Sequence, residues 1–82
     1  MASKFIRFEQ VKDMGTTKEW EVVSVRDNGP LGCIEWNYGW RQYVFRPDLE
    51  TEWSWDCLQS IVDFLKEQNR LHREQKAEEA KA

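Results

Sequence analysis

The segment from Leu31 to Phe45 constrains the fold of this chain more than any other stretch; it reads Leu-Gly-Cys-Ile-Glu-Trp-Asn-Tyr-Gly-Trp-Arg-Gln-Tyr-Val-Phe. It is rich in β-branched and aromatic residues, which favour strands, and it has an Asn-Tyr-Gly sequence at its centre, which favours a turn. Glycine readily adopts the left-handed backbone conformation that ends a three-residue hairpin loop. The segment therefore predicts a β-hairpin whose loop is formed by residues 37–39.

This loop would set the register of the hairpin and the faces of its two strands. Trp36 would lie opposite Trp40 and Glu35 opposite Arg41, and such aromatic and opposite-charge pairs each stabilise a sheet by about 0.2–1 kcal/mol. The charged pair marks its own face as the more solvated one. In this register that outer face carries Leu31, Cys33, Glu35, Arg41, Tyr43 and Phe45. A charged residue beside aromatic rings on an outer face predicts a binding platform.

The rest of the chain predicts two earlier strands and one helix. Residues 4–11 and 19–26 show the alternation of half-buried strands, and turn residues follow each of them. Ser54 is a good helix N-cap, and apolar residues then recur at helical spacing as Leu58, Ile61, Val62 and Leu65. We therefore predict an α+β fold in the order ββββα. A small antiparallel sheet of three to four strands would carry one C-terminal helix on one face.

The character of the chain changes after Gln68. Residues 69–82 are nearly all charged side chains, glutamine and alanine, so they have high helix propensity and little to bury. We predict a single α+β domain over residues 1–68 and a polar helical extension or frayed tail over residues 69–82. His72, the one histidine, would then be a solvated residue of this tail.

Composition narrows the classes of function. The net charge of −3 and the pI of about 5.1 argue against a nucleic-acid partner. The two cysteines make neither a disulfide framework nor a zinc ligand set, which is typical of a reducing cytoplasm. No apolar run approaches the ~20 residues that span a bilayer, and no signal-peptide core follows the N-terminus. We expect a soluble cytoplasmic protein without membrane contact.

The sequence contains no constellation typical of catalysis. Nothing in the sequence places Cys33 or Cys57 near His72 in the polar tail, so no cysteine–histidine nucleophile pair is predicted. The carboxylates of the connection before the helix, Asp48, Glu50 and Glu52, do not have the spacing of a calcium loop. We therefore predict no enzymatic activity, no cofactor and no metal.

One further observation is a resemblance. The pattern Leu31-Gly32, Ile34, Trp36, Trp40-Arg41, Tyr43 and Phe45-x-Pro47, followed by Cys57-Leu58, Ile61 and Phe64, resembles a family of small hypothetical proteins of bacteriophages and prophages. The resemblance covers about residues 4–68. It implies a phage-encoded accessory protein acting in the host cytoplasm, and it assigns no functional residues.

Two functions remain open. The leading hypothesis is a small protein-interaction module for a host or phage protein, with Arg41, Tyr43, Phe45 and the outward-pointing Trp55 as binding residues, since aromatic residues and arginine are enriched at interface hot spots. The alternative is a binder of a nucleotide or single-stranded nucleic acid, with bases stacked on the same aromatics beside Arg41. A homodimer is also expected, formed by the outer sheet face or by the Leu71 side of the helix, because small cores often need such support.

Overall fold

A computed structural model describes the backbone of residues 5–81 and the side chains of residues 5–78. These residues form four strands and one helix: β1 Ile6–Asp13, β2 Lys18–Ser24, β3 Pro30–Asn37, β4 Gln42–Pro47 and α1 Trp55–Lys81. The strands make one antiparallel sheet in the order β1-β2-β3-β4, and α1 packs on it. The predicted α+β class and the ββββα order are confirmed. Lys4, where the first strand was predicted to begin, lies outside the described residues.

The core forms between α1 and one face of the sheet. Its buried members are Ile6, Trp20, Val22, Ile34, Tyr43 and Ile61. Phe64 of α1 closes this layer, because its ring stacks on Phe8 with centroids 3.9 Å apart and meets the edge of Trp20 at 5.1 Å. Aromatic packing thus supplies much of the buried surface of a short chain, as the aromatic-rich sequence suggests.

The helix begins where its cap predicts and continues well past Gln68. The Ser54 hydroxyl accepts a hydrogen bond from the Cys57 backbone N–H at 3.4 Å, as an N-cap does. Further along, the Asn69 side-chain oxygen accepts a hydrogen bond from the Tyr43 N–H at 2.7 Å, which covers part of the free edge of β4. His72 is buried, with its ring 4.2 Å from that of Trp36. The prediction that His72 is a solvated tail residue is wrong, because packing on the sheet continues at least to this residue.

The register of the β3–β4 hairpin differs from the predicted one. Trp36 pairs with Tyr43 and Ile34 with Phe45, so four residues, 38–41, lie outside the ladder. The left-handed position belongs to Arg41, with φ of 55°, and not to Gly39. The shift between the two registers is an odd number of residues, so it turns every side chain of β4 to the other face. Tyr43 and Phe45 therefore point toward the helix.

This correction removes the predicted outer platform. The outer face of the sheet carries three ion pairs between exposed or half-buried side chains: Arg7–Glu9, Lys12–Glu19 and Arg46–Glu35. Glu35 forms an ion pair on the outer face, as predicted, but its partner is Arg46 and not Arg41. Arg41, Tyr43 and Phe45 do not share an exposed face, and a dimer formed by that face loses its structural basis.

Candidate functional site

The up-and-down topology of the sheet brings two loops to the same end of the molecule. These are the β1–β2 connection, residues 14–17, and the β3–β4 loop, residues 38–41. They lie together because every second connection of an up-and-down sheet is at the same end of the strands. The helix of 27 residues is about 40 Å long, whereas a strand of eight residues spans about 26 Å. The C-terminal half of α1 therefore runs past this end of the sheet and forms a wall facing the two loops.

The β3–β4 loop has a defined shape. The Arg41 N–H donates to the Asn37 backbone oxygen at 2.7 Å, and the Trp40 N–H donates to the Asn37 side-chain oxygen at 2.8 Å. The first bond closes a five-residue α-turn, and the second is the local side-chain bond for which asparagine is favoured in turns. With these bonds made, the Tyr38 and Trp40 rings remain 75% and 70% exposed to solvent.

Between this loop and α1 lies a cleft with two lobes, which we call the basic cleft. The Tyr38 lobe has a volume of about 750 Å³ and is lined by Thr16, Thr17, Trp36, Tyr38, Arg41, His72, Arg73 and Lys76. The Trp40 lobe has a volume of about 600 Å³ and is lined by Trp36, Trp40, Arg41, Gln42, Lys66, Asn69, Arg70, His72 and Arg73. Both volumes fall within the ~300–1,000 Å³ that small-ligand sites occupy.

The cleft is strongly positive although the chain is acidic. No aspartate or glutamate lines either lobe within the described part of the chain. Among the described side chains, Arg41, Lys66, Arg73 and Lys76 form no ion pair with a carboxylate, whereas Arg70 is held by Glu67 and Glu74. Exposed charges act over about one Debye length, ~8–10 Å, so this local cluster and not the net charge sets the field in the cleft.

The floor of the cleft is aromatic. Trp36 contacts both the His72 ring and the Tyr43 ring, the latter at a centroid distance of 5.1 Å, and the Tyr43 and His72 rings themselves meet edge to face at 6.1 Å. The Tyr43 hydroxyl accepts a hydrogen bond from the Lys18 N–H at 3.2 Å, and burial raises the pKa of this phenol above its ordinary value. Tyr43 is therefore a neutral supporting residue beneath the cleft.

The structure brings only one of the four predicted binding residues to this site. Arg41 lines both lobes of the cleft, whereas Tyr43 is buried and Phe45 packs its ring against Trp53 at 4.9 Å. Trp55 is 81% exposed at the first residue of α1. It lies 18 residues before Arg73 along the helix, a distance of about 27 Å, and so belongs to the other end of the molecule.

The sequence reasoning missed most of the cleft. The missed residues are Trp36, Tyr38, Trp40, Lys66, Arg73 and Lys76. A partial signal was present, because Lys66, Arg70, Arg73 and Lys76 recur at helical spacing in the segment predicted to be a tail. The aromatic half of the site gave no such signal, since the predicted register placed Trp36 and Trp40 opposite each other in the ladder.

Other chemistry finds little support in the described residues. They contain no group of three or more histidine, cysteine, aspartate or glutamate side chains arranged to hold a metal ion. Burial, together with the Glu35 carboxylate, raises the pKa of the Cys33 thiol, which reduces its reactivity as a nucleophile. Across the described residues, no helix has the length and apolar character required to cross a bilayer. Comparison with protein-family models, with curated proteins and with solved structures finds no match to this chain.

Proposed function

We propose that this protein is a non-enzymatic binding module that holds a phosphate-bearing aromatic ligand, a nucleotide or a single-stranded nucleic acid, in the basic cleft. The observation that carries the proposal is the composition of the cleft. Two exposed aromatic rings line it, together with four cations that have no carboxylate partner among the described side chains, and no aspartate or glutamate of the described part of the chain lines it. Cations that follow phosphates and rings on which bases stack are the two components of such sites.

The proposal changes the order of the two hypotheses drawn from the sequence. Both hypotheses relied on Tyr43 and Phe45 as exposed residues, and both rings belong to the core layer. The nucleic-acid hypothesis is kept because two other exposed rings, Tyr38 and Trp40, line the cleft beside Arg41. The argument against nucleic acid relied on the net charge of the whole chain, which does not describe the field inside the cleft. Arg41 was assigned to the site by both hypotheses and keeps that role here. The phage-encoded setting in the host cytoplasm remains part of the proposal, with the resemblance as its support.

The test is the salt dependence of binding to a labelled eight-residue oligothymidylate, measured by fluorescence anisotropy. A single strand that contacts about three cations loses affinity with a slope of about −2 in log–log form, which is ~20-fold between 50 and 200 mM salt. Arg73→Glu is expected to weaken binding at low salt by at least about tenfold, because it places a carboxylate between the two lobes.

Arg26→Glu is the matched control for this charge reversal. It changes the net charge by the same amount, but Arg26 lies in the β2–β3 turn at the opposite end of the sheet. Its affinity should stay within about twofold of the parent chain, since the length of a strand, about 26 Å, separates it from the cleft, which is about twice the Debye length at 50 mM salt. Equal losses for the two variants, or no binding by the parent at 50 mM salt, would refute the proposal.

A second candidate function is protein interaction through an apolar stripe on the first half of α1. Trp55, Leu58 and Val62 lie on one side of the helix and are 81%, 43% and 41% exposed. The partner we propose is a second copy of the chain, because a two-fold interface needs only one self-complementary patch and this stripe contains no charge to bury. Leu71, the helix residue that the sequence put forward for this role, is a single exposed side chain at 42%.

Sedimentation velocity tests the second candidate. The parent chain is expected to sediment as a dimer at concentrations of tens of micromolar. Trp55→Ala should shift it toward the monomer, because truncating a central aromatic residue of an interface typically costs 2 kcal/mol or more. Leu49→Ala, which removes an apolar side chain that is 94% exposed in the connection before α1, serves as the control and should leave the mass unchanged. A monomeric parent would exclude this candidate and would not affect the cleft.

A further inference from the structure

The two lobes of the basic cleft each contain a complete set of binding elements. The Tyr38 lobe is lined by one exposed aromatic residue and by Lys76, and the Trp40 lobe is lined by one exposed aromatic residue and by Lys66. Arg41 and Arg73 line both lobes. The cleft therefore repeats one pattern twice, a ring with its own cation, around a shared pair of guanidinium groups.

This repeat has the geometry of consecutive units in a chain. Tyr38 and Trp40 are two residues apart, so their Cα atoms are separated by no more than about 7 Å. Successive bases are about 3.4 Å apart when stacked in a helical strand and move apart when the strand is unstacked. Two neighbouring bases can thus reach the two rings while the phosphate between them lies at the shared arginines.

We infer that the cleft binds one single strand of nucleic acid across both lobes, with two successive bases on Tyr38 and Trp40 and the intervening phosphate at Arg41 and Arg73. This inference rests on the proposed function and specifies its ligand. A mononucleotide would fill one lobe and leave a ring and a cation of the other in water. A duplex is excluded from this mode, since its base faces are already stacked and are unavailable to side chains at a loop tip.

The experiment is a competition assay with the full chain at about 50 mM salt. Unlabelled competitors displace a labelled eight-residue oligothymidylate. The competitors are thymidine 5′-monophosphate, oligothymidylates of two and four residues, a four-residue oligouridylate and an octaglutamate peptide. The two-residue and four-residue strands are expected to compete at least about tenfold better than the monophosphate and the peptide, because they supply two bases and the phosphate between them. The ratio of the affinities of the four-residue DNA strand and the four-residue RNA strand shows whether the cleft distinguishes the two sugars. Tight binding of either strand supports the inference.

Tyr38→Ala and Trp40→Ala provide the second measurement. Each is expected to lower the affinity for the four-residue strand by about tenfold, which is the typical effect of losing one base–aromatic stack on alanine substitution. Both rings are exposed, so the fold should survive, and circular dichroism checks this. Leu49→Ala again serves as the control for loss of an exposed apolar side chain.

The outcomes separate the inference from the function on which it rests. If the monophosphate competes as well as the four-residue strands, or if only one ring matters, the cleft is a single-nucleotide site and the inference is wrong while the proposed function stands. Equal competition by octaglutamate would replace nucleic acid with an acidic protein segment. If the labelled strand does not bind at low salt, the proposed function fails and the inference fails with it.

Discussion

Tyr43→Ala is expected to lower the free energy of unfolding by about 3–5 kcal/mol, the typical cost of removing a large ring from a core. The Tyr43 ring is 4% exposed and meets the rings of Trp20 and Trp36 edge to face at 5.2 and 5.1 Å. The substitution would leave a cavity under the helix and would remove the oxygen that accepts the Lys18 N–H. Urea denaturation followed by tryptophan fluorescence measures the change.

Two tyrosine variants calibrate this result. Tyr43→Phe keeps the ring and removes only the hydroxyl, so it should cost about 0.5–1.5 kcal/mol, the net value of one hydrogen bond. Tyr38→Ala removes a tyrosine ring that is 75% exposed and should stay within about 0.5 kcal/mol of the parent. If Tyr43→Ala is as stable as Tyr38→Ala, Tyr43 lies outside the core and the observed hairpin register is wrong.

The sequence predicted the element order and the inner faces of β2 and β3, because alternation places Trp20 with Val22 and Ile34 with Trp36 on one side. It failed at the β3–β4 loop, where the Asn-Tyr-Gly sequence predicted a loop of three residues and the structure has four. The four-residue loop places Arg41 in a left-handed conformation, which costs a non-glycine residue about 1–2 kcal/mol. Burying Tyr43 and Phe45 in place of Gln42 and Val44 contributes more than that, at about 1.5–3 kcal/mol for a large apolar side chain. Tertiary burial therefore overrode local turn preference.

The basic cleft could not be predicted from the sequence for a related reason. Its parts come from two loops and from the second half of the helix, and only the register and the helix path bring them together. The helix path in turn depends on contacts that composition does not reveal. Asn69 is a polar residue in a polar segment, yet its side chain caps the Tyr43 N–H at the edge of the sheet. His72 likewise reads as solvated until Trp36 is placed beside it.

These contacts predict that the chain cannot be shortened to residues 1–68 without a large loss. A stop after Gln68 removes Asn69 and His72, which together supply one hydrogen bond to β4 and the cover over Trp36. We expect the free energy of unfolding to fall by about 2–4.5 kcal/mol, from about 0.5–1.5 for the hydrogen bond and up to about 1.5–3 for the apolar surface of Trp36 that His72 covers. A small α+β domain of this size has only about 5 kcal/mol or less to lose. The shortened chain should therefore be partly unfolded at 25 °C by circular dichroism.

A stop after Lys76 is the matched control. Like the stop after Gln68, it removes charged residues and alanines, but it keeps Asn69, His72 and the cations of the cleft. The residues 77 and 78 that it deletes are exposed, so stability should change by no more than about 0.5 kcal/mol. The single variants Asn69→Ala and His72→Ala in the full chain should each account for part of the loss in the shorter one. If the stop after Gln68 is as stable as the stop after Lys76, the second half of the helix does not support the sheet. That result would support the domain boundary at residue 68 that the sequence predicts.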